Sequence, residues 1–288
     1  MTKPIFTGVC TALVTPFLEN RLNTPMLRQL IRRQELAGVD ALLICGTTGE
    51  SAALTDTEKL ELFSVSREAI PKSVPFIAGT GSNNTAHAVA LSQAAQELGA
   101  DALLVVSPYY NKATEEGLYR HYRHIAEAVS IPVILYNVPS RTGLDIPVSV
   151  YQKLAEIPNI VGVKEASADI RKIAWTRHQC PRDFSVWCGN DDLAVPALSL
   201  GASGVISVVS NVEPELTRAM TKAALDGDFD TASDLQCKLL PLIQALFREV
   251  NPVPVKEALK QIGLDCGSCR LPLGNASPET KEALASLL

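Results

Sequence analysis

Eight short aliphatic or β-branched runs recur along this chain, most of them followed by a stretch with amphipathic helical spacing. The runs are Gly8–Val14, Ala41–Cys45, Val74–Ala78, Ala102–Ser107, Val133–Asn137, Ile160–Lys164, Ser185–Cys188 and Gly204–Val208. Between them the periodicity predicts helices such as Thr24–Leu36, Thr55–Ile70, Thr85–Leu98, Thr114–Val129 and Pro147–Ala155. Parallel strands need crossover helices, and eight strands close a sheet on itself, so the alternation predicts an α/β chain folded as a (β/α)8 TIM barrel. Local signals agree: Thr55 precedes Glu58 by three, a capping-box spacing, and Pro147 suits a first helical turn. Gly38-Val-Asp-Ala-Leu-Leu43 is echoed by Gly99-Ala-Asp-Ala-Leu-Leu104, both at a helix-to-strand turn. A doubly wound open sheet is the competing architecture, but the glycine-rich fingerprint after its first strand is absent. Past Asp226 the pattern is helical only, over Phe229–Glu249, Val255–Ile262 and Pro278–Leu288. We therefore expect a barrel over residues 1–226 and a C-terminal helical extension over 227–288.

Composition removes several functions. The chain is 47% hydrophobic and 20% charged, which argues against disorder or a fibrous repeat. Net charge is -5 and no Lys/Arg run exceeds two residues, so nucleic acid and anionic membranes are disfavoured as partners. No apolar stretch approaches the ~18 residues of a membrane span, and Met1-Thr2-Lys3-Pro4 begins no signal-peptide pattern. Cys10, Cys45 and Cys188, three of seven cysteines, sit in apolar runs, where a thiol acts as a small buried hydrophobe. Cys266-Gly-Ser-Cys269 lacks a second CxxC or a histidine pair, which argues against a zinc or redox site. His121 and His124 share a helix face without completing a ligand set and read as surface residues. The expectation is a soluble, reduced, cytoplasmic protein without metal or cofactor.

Barrel chemistry sits at the C-terminal ends of strands, so the residues leaving each run matter most. The second run leads into Gly46-Thr47-Thr48-Gly49-Glu50, two hydroxyls between glycines, which is either a polar turn or an anion site. The fourth leads into Ser107-Pro108-Tyr109-Tyr110-Asn111-Lys112, adjacent tyrosines suited to packing, an interface or a catalytic hydroxyl. The fifth ends in Tyr136, five residues before Arg141, a phenol for proton transfer and a planar cation for a carboxylate. The sixth carries Lys164 in Ile160-Val-Gly-Val-Lys-Glu165. Such a lysine either snorkels to solvent or points into the barrel mouth, where desolvation favours the neutral amine that attacks ketones.

Taken together these motifs resemble the dihydrodipicolinate synthase branch of the Schiff-base aldolases. The likeness runs from about Gly8 to Pro254 and adds Gly189-Asn190-Asp191, Gly201-Ala-Ser-Gly204 and Asn251-Pro-Val-Pro254. It implies that Lys164 forms an imine with pyruvate, whose enamine attacks aspartate 4-semialdehyde on the route to lysine and diaminopimelate. It implies that Tyr136 shuttles protons, linked through Thr47 to Tyr110 of a neighbouring subunit. It implies further that Thr48 and the Ile206 backbone hold the pyruvate carboxylate, while Arg141 and the backbone near Gly189 hold the aldehyde. The resemblance also implies a homotetramer built from tight dimers. A sialic-acid-type lyase would keep Tyr136 and Lys164 but generally lacks the arginine of Ser140-Arg141-Thr142-Gly143. A non-catalytic keto-acid-binding barrel is the rival from another class, argued against by the full set of catalytic residue types.

Lysine-inhibited members of this branch have a pocket that Ser51, Ala52, Asn83 and Tyr109 match. Asp56 and Lys59 replace two histidines there, and His87 replaces the glutamate that would take an amino group. The expectation is a vestigial pocket at which lysine acts weakly or not at all.

Overall fold

The computed structural model describes residues 4–288. The opening Met1-Thr2-Lys3, read above for a leader pattern, lies outside the described residues. Eight parallel strands close in sequence order, the last pairing back onto the first. They are β1 (Gly8–Ala12), β2 (Ala41–Ile44), β3 (Phe76–Gly79), β4 (Ala102–Val106), β5 (Val133–Asn137), β6 (Ile160–Glu165), β7 (Ser185–Cys188) and β8 (Gly204–Ser207). Their crossovers are α1 (Thr24–Leu36), α2 (Asp56–Ala69), α3 (Thr85–Glu97), α4 (Glu115–Glu127), α5 (Val148–Leu154), α6 (Ile170–Gln179), α7 (Ala194–Ser199) and α8 (Pro214–Leu225). The helices α9 (Phe229–Leu246), α10 (Val253–Gln261) and α11 (Pro278–Ala285) follow. The sequence did not announce the small hairpin Phe17–Leu18/Arg21–Leu22, whose strands are too short to carry a periodicity.

The strands read as continuous apolar runs because both of their faces are covered. Alternate residues divide between two cores. Cys10, Leu43, Ile77, Leu104, Ile134, Trp187 and Ile206 fill the barrel, while Val9, Leu42, Phe76, Leu103, Leu135, Val186 and Val205 meet the helices. The six-residue echo is a repeated device. Gly38 and Gly99 take positive φ (72° and 85°). Two residues on, Asp40 and Asp101 each accept a backbone amide at the start of the neighbouring strand, from Val9 and Phe76, both at 2.8 Å. The Thr55/Glu58 capping box is present, and Pro147 is the N-cap of α5.

One expectation fails here. His121 is buried, because Leu118, Tyr122 and Ile125 set the apolar stripe of α4 and carry residue 121 inward with them. Its Nδ1 meets the Thr85 hydroxyl at 2.9 Å, and burial lowers its pKa to about 4. His124 is exposed, as expected.

The extension shares the outer core through Leu239, Ile243, Leu246 and Leu259. It also places charge inside the protein. Lys256 of α10 meets Glu50 at 2.6 Å, with both side chains almost wholly buried. The Lys256 ammonium lies 4.3 Å from the Phe17 ring centroid, and the Arg270 guanidinium 4.2 Å from the same ring. The Arg270 backbone amide donates to the other Glu50 oxygen at 2.8 Å, and its side chain forks onto Glu58 at 2.5 and 2.8 Å. That fork pulls the Glu58 carboxyl down to about 2.

Removing one partner of a buried pair leaves a bare charge. Lys256→Met should therefore destabilise the fold by about 3–5 kcal/mol, while Glu50→Gln/Lys256→Met should cost clearly less. Urea unfolding of both variants checks this; equal losses would show that the pair does not carry the docking of the extension.

Candidate active site

Lys164 emerges near the end of β6 in a fixed register, with Tyr136 of β5 on one side and Trp187 of β7 on the other. It is 5% exposed, and its ammonium lies 4.5 Å from the centroid of the Tyr136 ring. It does not snorkel. Two glycines make this packing possible. A Cβ on Gly189 would fall 3.0 Å from Lys164 Cε and 2.6 Å from Ala166 Cβ. A Cβ on Gly162 would meet the Ser185 carbonyl at 2.2 Å and the Trp187 ring at 2.9 Å. Trp187 is held from below, stacked on Phe6 and donating to its carbonyl at 3.3 Å.

Tyr136, the lysine's aromatic neighbour, lines a cavity of about 870 Å³. Thr47, Tyr136 and Arg141 are on its wall, as are Ser51, Ala52, Asn83, His87 and Tyr109. Thr48, Lys164, Gly189 and Ile206 are not among its lining residues. Thr48 is buried, and its Oγ1 accepts from Asn251 Nδ2 at 2.9 Å. The β7–β8 pairing runs Trp187↔Gly204 and Cys188↔Val205, stopping one residue short of Ile206. The Gly189 amide already donates to the Glu165 carbonyl at 2.7 Å, so a ligand there has only its carbonyl to use. Arg141 sits on a single turn, Pro139–Thr142, begun by the fixed φ of proline and closed by Gly143 at φ 66°. Its Nη2 donates to the Asn251 carbonyl at 3.3 Å. Tyr110 is not brought into this set. It is 92% exposed, at a left-handed φ of 71°.

The far end of the cavity holds the altered pocket. Asp56 does point into it, and its carboxylate is taken by His87 Nε2 at 2.9 Å, with Lys59 Nζ at 3.6 Å. The His87 bond, followed by the His87 and Lys59 charges, holds the Asp56 carboxyl below its usual range. His87 Nδ1 meets the Ser82 hydroxyl at 3.1 Å, and Asn83 Nδ2 donates to the Tyr109 carbonyl at 3.1 Å.

The thiols offer no rival nucleophile at the mouth. Cys10, Cys45 and Cys188 are buried, and desolvation raises all three, the latter two to about 12. Among the described residues no three His, Cys, Asp or Glu side chains converge as a metal-ligand group. Asn251 was quoted in the Asn-Pro-Val-Pro stretch but given no role. Its contacts with Thr48 and Arg141 cross some two hundred and one hundred residues, and no local spacing reveals them.

A closed barrel with an amine packed against a phenol at its C-terminal mouth defines a lyase scaffold suited to Schiff-base chemistry. Comparison with known proteins gives the family. The Dihydrodipicolinate synthetase family pattern matches residues 5–288, and the chain belongs to that family. The chain is 49% identical, over 100% of its length and 98% of the relative's, to the 4-hydroxy-tetrahydrodipicolinate synthase of Acetivibrio thermocellus. The dihydrodipicolinate synthase structure from Aquifex aeolicus superposes with a TM-score of 0.97 at 43% identity, covering 98% of this chain and 97% of that one. A structure described as a monomeric dihydrodipicolinate synthase variant superposes equally well, at 0.97 and 42% identity over 99% and 96%. Among the described residues no helix is long and apolar enough to cross a membrane.

Proposed function

We propose that this chain condenses pyruvate with aspartate 4-semialdehyde to give 4-hydroxy-tetrahydrodipicolinate, working in the cytoplasm without metal or cofactor. The observation that carries the reading is the Lys164 ammonium held in the barrel mouth over the Tyr136 ring. The neutral amine attacks the pyruvate ketone, and loss of water leaves an imine. Removing a methyl proton gives the enamine, whose carbon attacks the aldehyde. The amino group of the aldehyde substrate then displaces Lys164 from the imine carbon, closing the ring and freeing the lysine. Tyr136 carries the protons in this reading, with Thr47 lining the same cavity.

Thr48 and the Ile206 backbone suit the pyruvate carboxylate, and the Arg141 fork suits the carboxylate of the aldehyde at the mouth. Tyr110, exposed on its own chain, serves a neighbour's site in this reading, within a tight dimer that pairs again into a tetramer.

Pyruvate with borohydride should leave a reduced three-carbon adduct on Lys164, and Lys164→Ala should lose it. Arg141→Ala should keep the adduct while weakening use of the aldehyde about tenfold or more, as loss of a charge-assisted contact implies. Peptide mapping decides the first point: an adduct on another lysine, or none, removes the mechanism.

Subunit mixing tests the shared tyrosine. Tyr110→Phe and Lys164→Ala chains, each weak alone, should regain activity once mixed, because some sites then hold both intact residues. No recovery after proven subunit exchange would mean that each site is built within one chain.

Lysine should inhibit weakly or not at all at millimolar concentration. The Asp56 carboxylate is already held by His87 and Lys59, so an incoming ammonium finds that acceptor engaged and meets a resident cation. A sub-millimolar inhibition constant abolished by Tyr109→Ala would overturn this.

A further inference from the structure

Asn251 lies in the segment joining α9 to α10, 5% exposed and in contact with the cavity. Three of its polar groups bear on the site. Nδ2 donates to Thr48 Oγ1 at 2.9 Å, the backbone carbonyl accepts from Arg141 Nη2 at 3.3 Å, and Oδ1 is buried without a donor. The first contact has a direction. A hydroxyl has one proton to give and lone pairs to receive with. Because Thr48 Oγ1 is occupied as an acceptor, its own proton is left to point elsewhere, and a carboxylate beside it takes only donors. An amide donor behind the hydroxyl therefore fixes the sense in which the hydroxyl faces its ligand.

We propose that Asn251 is a positioning residue from the C-terminal extension, whose amide holds the Thr48 hydroxyl as a donor toward the carboxylate of the keto-acid substrate. The inference rests on the reading that Lys164 forms an imine with pyruvate and that Thr48 receives its carboxylate. The side chain acts through Thr48 alone; Arg141 is held by the main-chain carbonyl, which substitution leaves in place.

Borohydride trapping at Lys164 gives the test, with the half-saturating concentration measured for pyruvate and for pyruvamide, its uncharged analogue. Asn251→Ala should raise the pyruvate value about three- to tenfold, the range of one net hydrogen bond, and leave pyruvamide within about twofold. In a Thr48→Val background the same substitution should have no further effect on pyruvate. Asn251→Asp keeps the shape but draws the Thr48 proton toward itself, and should weaken pyruvate more than Asn251→Ala does. An equal rise for pyruvamide, an undiminished effect without the Thr48 hydroxyl, or an Asn251→Asp enzyme as good as the parent would each overturn the proposal. Absence of trapping in the parent enzyme would instead remove the imine reading on which it rests. Thermal unfolding of each variant identifies one that has lost its fold, and Asn251→Asp, with its unchanged volume, then decides alone.

Discussion

The carboxylate of Glu50 is the point at which the barrel and the extension become one object. Glu50 closes the Gly46–Glu50 loop in a left-handed conformation (φ 56°), and its carboxylate is met from the far end of the chain, one oxygen in an ion pair with the Lys256 ammonium and the other accepting from the Arg270 amide. A carboxylate so deeply buried is tolerable only when paired, since desolvation alone costs several kcal/mol. The loop has its own backbone hydrogen bonds and one from Thr15, and docking of α10 and the segment beyond it adds the partners of its buried charge. Thr47 and Thr48 sit in that loop, so the proposed substrate hydroxyls depend on residues more than two hundred positions away.

A second constraint comes from closure of the sheet. Period-two alternation sends every other residue inward, and parallel register sets Tyr136, Lys164 and Trp187 side by side. The lysine is thus held on a rigid strand, with one aromatic neighbour on either side and a glycine, Gly189, where a Cβ would crowd it. A reactive group placed this way needs little reorganisation when a substrate arrives. The thiols of Cys10 and Cys188 feel the charge of Lys164, but burial outweighs it and keeps them protonated.

What the sequence displayed and what it concealed divide by range. All eight strands were legible because each is buried on both faces, and the Thr55 capping box and the Gly38/Gly99 echo are local. Lys164 stood out because a charge interrupting an apolar strand has few comfortable places to go. His121 was misread because two histidines at i and i+3 suggest a shared face, while the stripe that decides their burial is set by Leu118, Tyr122 and Ile125. The Asp56–His87 pairing across two helices was invisible: substitution changed three charges at once, and only their arrangement shows that the carboxylate is spent internally. Asn251 escaped for the same reason, since both its partners come from other turns of the barrel.

The change in pattern after Asp226 invites a division into a catalytic barrel and an appendage, yet the physical chemistry runs across it. The outer core continues through Leu239, Leu246 and Leu259, so the extension buries barrel surface that would otherwise face water. Its charged groups do more than cover. Lys256 and Arg270 fix the loop after β2 through Glu50, and the Asn251 segment touches both the loop and the Arg141 turn. A (β/α)8 barrel positions residues at strand ends well but leaves the following loops free to wander. Here the two loops proposed to bind the two carboxylates, after β2 and after β5, are tied to one another by a third segment. The spacing between the two carboxylate sites is then a property of the whole chain, and a variant that loosened the extension would separate them without touching Lys164.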